Sequence, residues 1–150
     1  LRLVGSEMCI RDSGGMAFIS SNVGAVHAFA ETVGAWFDTP HGVANSLFLP
    51  YIMEFNIPAC PERFADIADA MGIEREESMS DEQYALKAVE YVKALNRKLN
   101  IPTIKEIKGI TEERFEAIAE RSANNVLSND NARKITKEDY LELLKKAYNE

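Results

Sequence analysis

A chain of 150 residues can fold as one domain with a real hydrophobic core. Its 17 basic and 24 acidic side chains leave a formal charge of −7 with no basic cluster, which argues against nucleic acid and anionic membranes as partners. No apolar run reaches the roughly eighteen residues of a membrane-spanning helix, so no membrane partner is expected either.

The first thirteen residues look foreign to the rest. Met8-Cys-Ile-Arg-Asp-Ser13 resembles a translated sequencing-adapter end, and such scars stand outside fold reasoning. Residues 1–13 are therefore expected to be non-native and irregular or disordered, with the natural protein continuing upstream of Gly14. Setting them aside removes Cys9 and leaves Cys60 alone. A single cysteine forms no intrachain disulfide, which suits a reducing cytoplasm as the expected location.

From Gly14 onward the pattern predicts helices joined by short turns. Runs over 14–22 and 24–36 part near Gly24, and Asp38 fits a turn. Thr39 as cap and Pro40 in the first turn predict a helix to about residue 55, apolar at Val43, Leu47, Ile52 and Met53 and interrupted by Pro50. Pro61 and Gly72 bracket a helix with Phe64, Ile67, Ala68 and Met71 at core spacing. Ser80 and Gln83 form a capping-box pattern for a helix to about residue 99, ended by Asn100-Ile-Pro102. Thr111 predicts a helix start running to about 124. Ser128-Asn-Asp-Asn131 is turn chemistry, and Thr136 predicts the last helix, to about 148. No strand pattern is present, and the fold class is all-α.

Both histidines sit early, His27 on an apolar helical run and His41 just after Pro40. The bend between the two runs can turn both imidazoles toward one point, as a shared zinc or iron ion would need. Fourteen positions separate them, outside the i, i+4 spacing of two ligands on one helix face. Residue types alone favour the plainer reading, a hydrogen-bonded core histidine and a histidine near a helix start.

The wording around them is more specific. Gly15-Met-Ala-Phe18, Val26-His-Ala-Phe-Ala30, Thr39-Pro-His-Gly-Val-Ala-Asn45, Leu49-Pro50 and Glu54-Phe-Asn56 occur in order. Asn131-Ala-Arg133, Thr136-Lys-Glu-Asp139 and Leu144-Lys-Lys-Ala-Tyr148 follow. Together they resemble the iron-containing, metal-dependent alcohol dehydrogenase family over about residues 14–148. Members pair an α/β nucleotide-binding half with a helical metal-binding half, and this chain resembles only the second, so residues 14–150 are expected to be that helical domain.

The resemblance implies an NAD- or NADP-dependent alcohol dehydrogenase, with hydride passing to or from a small alcohol or aldehyde and a divalent metal as Lewis acid. His27 and His41 match the family's two metal-binding histidines, with iron the first expectation for the metal and zinc the second. The remaining ligands and the cofactor's glycine-rich loop belong to the missing N-terminal half. This chain alone is expected to be inactive, and its parent a homo-oligomer. Phe18 aligns with a substrate-facing aromatic, which would make it a pocket wall, with core packing on an apolar helix as the alternative. Glu31 stands where many members have histidine; four residues after His27 it shares a helix face with that ring, where it orients the imidazole, relays a proton or binds the metal, or is simply a solvated helix charge. Glycerol dehydrogenase-like and dehydroquinate synthase-like enzymes share the plan and remain alternatives, as does a helical interaction module with no chemistry. A half-domain that normally packs on another also implies exposed apolar side chains near Phe18, His27 and His41.

Overall fold

A computed structural model describes residues 2–150, with side chains from residue 12 onward. The described residues form seven α-helices and no strand: α1 (Arg2–Ser21), α2 (Gly24–Phe37), α3 (His41–Asn56), α4 (Pro61–Ala70), α5 (Asp81–Lys98), α6 (Phe115–Ala123) and α7 (Lys137–Asn149), with short 3-10 turns between them. No described helix is long and apolar enough to cross a membrane. The irregular chain expected over 1–13 is instead helical from Arg2 onward. No proline precedes Pro40, and Gly14 and Gly15 lower helix propensity without breaking the backbone ladder.

Local signals set most helix starts. Ser80 accepts from the Gln83 N–H while Gln83 accepts from the Ser80 N–H, and Thr136 with Asp139 repeats the exchange at α7. Two expected caps fail. Pro40 itself occupies the position before α3, which leaves Thr39 one residue outside with its hydroxyl buried and without a partner. Thr111 makes no side-chain cap, because a 3-10 turn (Glu112–Arg114) intervenes before α6.

Pro50 lies inside α3. Its ring nitrogen cannot donate to the carbonyl four residues earlier, that of Ser46. Asn96 on α5 supplies the missing bond, its Nδ2 donating to the Ser46 carbonyl at 2.6 Å. Asn96→Ala orphans that acceptor and is expected to cost about 1–2 kcal/mol in urea denaturation. An unchanged midpoint would show that water replaces the amide without loss.

The core has two parts. In the larger, α2, α3, α6 and α7 pack around Phe29, Phe48, Ile118 and Leu144. Phe29 stacks on Phe48 at 4.3 Å and meets the edge of Tyr140 at 4.6 Å. In the smaller, the end of α3 packs on α4 and α5 through Met53, Ile57, Ala68, Ala88 and Val89. The buried Tyr84 hydroxyl there bonds the Asp69 carboxylate at 2.7 Å and the Ile73 carbonyl at 2.6 Å. Pairing α2 against α3 is what builds the site.

Candidate functional site

Asp38 adopts a left-handed conformation (φ 50°) just after α2, and the extended Pro40 precedes α3, which packs against α2. Both histidines thereby reach one place. The His27 ring, on the first turn of α2, and the His41 ring, on the first residue of α3, lie 5.1 Å apart between centroids and are inclined by 54°.

That spacing suits a shared cation. A metal–nitrogen bond of about 2.0–2.1 Å places a ring centroid roughly 3 Å from the ion, so two imidazoles on a tetrahedral ion stand roughly 5 Å apart between centroids. The Nδ1 of His27 is buried and has no hydrogen-bond partner. Burial, and after it the charge of His41, pulls the His27 imidazole below its ordinary value. The Val23 backbone and the Glu31 carboxylate oppose that shift more weakly, the former without a well-formed bond to Nδ1. The neutral ring, with a free lone pair, is the form that binds metal. Among the described residues, no third His, Cys, Asp or Glu joins the pair in a group able to hold a metal ion. The two histidines thus fit a divalent cation as part of its ligand set.

Asn45, one turn beyond His41, completes the near side. Its Nδ2 lies 3.0 Å from His41 Nε2 and donates to the His41 carbonyl at 2.9 Å, while its Oδ1 is buried without a partner. The contact requires a lone pair on Nε2, so a cation approaching there displaces the amide. His27, Asn45, Ser46, Val23, Val26 and Leu49 line an open cleft of about 280 Å³ with mostly apolar walls.

Two expected site residues stand elsewhere. Phe18 is 56% exposed on α1, and like Met16 and Ile19 it stays outside the residues lining the cleft. This exposed apolar group, with Leu49 partly exposed at the cleft, agrees with the uncovered surface expected of a half-domain. Glu31 is exposed and accepts a hydrogen bond from Asn125 Nδ2 at 2.8 Å, so its strongest contact is with the turn after α6 and not with His27.

Residue type alone points to no role for Asn45 or Asn56 and only to a turn at Asn131, although all three fall within the motifs that carry the family resemblance. Asn56 and Asn131 form a reciprocal amide pair. Asn131 Nδ2 donates to Asn56 Oδ1 at 2.7 Å, and Asn56 Nδ2 donates to Asn131 Oδ1 at 3.1 Å. Motif membership was the available signal, since nothing in the local pattern relates positions 75 residues apart.

Comparisons with known proteins agree with this architecture. The family model for the C-terminal part of the Fe-containing alcohol dehydrogenase family matches residues 5–148. Lactaldehyde reductase of Escherichia coli is 39% identical over 145 residues, covering 96% of this chain and 38% of that protein. The 1,3-propanediol dehydrogenase of Citrobacter freundii is 36% identical over 134 residues, covering 89% and 34%. The solved structure of an alcohol dehydrogenase from Oenococcus oeni superimposes with a TM-score of 0.83 at 41% identity, over 89% of this chain and 35% of that one. The chain therefore spans little more than a third of the length of these relatives. With the family model matching almost throughout and the paired histidines in place, this chain belongs to the Fe-containing alcohol dehydrogenase family.

Proposed function

We propose that this chain is the helical, metal-holding part of a dehydrogenase that moves hydride between a small alcohol or aldehyde and NAD or NADP. The observation that carries the reading is the 5.1 Å approach of His27 and His41. Held between them, a divalent metal such as iron or zinc supplies Lewis-acid polarisation of the substrate oxygen.

The chain's own groups have distinct tasks. His27 and His41 donate imidazole nitrogens, and Asn45 keeps the His41 lone pair oriented until a cation takes it. Val23, Val26 and Leu49 give the cleft apolar walls that suit a short carbon chain. The names of the relatives, a lactaldehyde reductase and a propanediol dehydrogenase, point to the same small-substrate class. Glu31, four residues after His27 and hydrogen-bonded to Asn125, is the carboxylate assigned to orient that ring or relay a proton beside it. Phe18 is reserved for a wall completed by chain outside these residues. The nucleotide-binding part, the remaining metal ligands and assembly into oligomers in a reducing cytoplasm belong to the same proposal.

The test is elemental analysis and alcohol oxidation by the protein carrying the additional length found in its relatives. A stoichiometric divalent cation is expected, with activity lost to a chelator and regained on adding Fe2+ or Zn2+. The 150-residue chain alone is expected to oxidise no alcohol. A longer protein that retains no cation and oxidises no small alcohol or diol would sink the reading.

A further inference from the structure

The segment around Asn131 ties together the ends of the two helices that carry the histidines. The Asn131 carboxamide uses all of its bonding capacity. Oδ1 accepts from the Ala25 N–H at 3.3 Å and from Asn56 Nδ2 at 3.1 Å, while Nδ2 donates to Asn56 Oδ1 and to the Arg133 carbonyl, each at 2.7 Å. Rotating the amide by half a turn would set donor against donor at Ala25, so its orientation is determined. Gly24, at φ +60°, allows the approach: a Cβ there would lie 3.3 Å from Asn131 Oδ1 and 3.5 Å from its Cα. Two further contacts anchor the same segment. Asp130 accepts from Asn22 Nδ2 at 2.7 Å, and Arg133 donates to the Phe55 carbonyl at 3.1 Å with its guanidinium 4.2 Å over the Phe55 ring.

Ala25 is on the first turn of α2, two residues before His27, and Asn56 is the last residue of α3, the helix that begins with His41. A helix advances about 1.5 Å per residue and transmits axial displacement along its length. Sliding α2 along α3 by even a fraction of a turn would alter the spacing of the imidazoles. We infer that Asn131 is a positioning residue: paired with Asn56, it fixes the axial register of α2 on α3 and thereby the spacing of His27 and His41. Its relevance to catalysis rests on the metal reading above, whereas the register itself does not.

The experiment compares the 150-residue chain with its Asn131→Ala, Asn56→Ala and Tyr84→Phe variants. Asn56→Ala keeps the Asn131 bonds to Ala25 and Arg133, and it serves where Asn131→Ala does not fold. Tyr84→Phe, which removes a buried hydroxyl bonded to Asp69 and Ile73 in the smaller, separate core, controls for simple destabilisation. Without metal, proton NMR cross-peaks between the two imidazole rings are expected in the unsubstituted chain and in Tyr84→Phe, and are expected to weaken or vanish in both asparagine variants. With cobalt(II), whose visible absorption reports its ligands, the asparagine variants should bind at least tenfold more weakly. Folded asparagine variants with unsubstituted cross-peaks and cobalt affinity would overturn the inference. If the unsubstituted chain, which holds only part of the ligand set, takes up no cobalt, the cross-peaks alone decide the positioning claim.

Discussion

His41→Ala, in the protein with its additional length, is expected to lose the bound cation and alcohol oxidation together while leaving the helical fold intact. The ring occupies the first residue of α3, and its recorded polar contact is the Asn45 amide. Alanine suits that position, so thermal melting of the metal-free protein should move little. The loss to the site is large. Removing a group that merely supports a ligand costs about 10–100-fold in metal affinity, and removing a ligand should exceed that. His27→Ala should lose metal equally but differ in stability. It deletes a buried Nδ1 that has no hydrogen-bond partner, so the metal-free variant should melt no lower than the parent unless the cavity left by the ring outweighs that relief. Elemental analysis, turnover and melting on the same samples separate these effects. Undiminished metal with full turnover in His41→Ala would refute the ligand assignment.

What could be read beforehand follows the range of each interaction. The Ser80–Gln83 and Thr136–Asp139 caps span three residues, and residue type at fixed spacing specifies them. Thr39 and Thr111 carry the same residue type without the cap, because Pro40 and the 3-10 turn shift the helix start by one or more positions. Apparent origin says nothing of conformation over residues 2–13, where the helix follows propensity and the absence of proline. The meeting of His27 with His41 could be anticipated from a bend between two helices and from motif wording, but the 5.1 Å spacing needed coordinates. The Asn56–Asn131 pair and the Asn96 bond to Ser46 were invisible, since amide pairing across 75 or 50 residues leaves no periodic trace. Phe18 stands 56% exposed on α1 and outside the cleft, so no contact among the described residues relates it to the histidine pair.

Phe29→Ala is expected to be the most destabilising single truncation considered, at about 3–5 kcal/mol. The ring is fully buried two residues beyond His27. It stacks on Phe48 with an interplanar angle of 12° and presents a perpendicular contact to Tyr140, so alanine removes two aromatic pairs as well as leaving a cavity. Each such pair is worth about 0.5–1.5 kcal/mol beyond buried area, which favours the upper part of the range. Set against a total stability of about 5–15 kcal/mol for a domain, such a loss is a large fraction. It should also be uneven. Phe29 belongs to the α2–α3–α6–α7 core, whereas Tyr84, Ala85, Ala88 and Val89 hold α5 to α4 in a separate cluster. Amide hydrogen exchange should therefore accelerate in α2, α6 and α7 while the inner amides of α4 and α5 keep more of their protection. Because Phe29 and Phe48 join α2 to α3 close in sequence to His27 and Asn45, the same variant should also loosen the imidazole pair. Uniform acceleration across both cores would mean that they unfold as one unit. A loss below about 1 kcal/mol would mean that neighbouring side chains collapse into the space left by the ring.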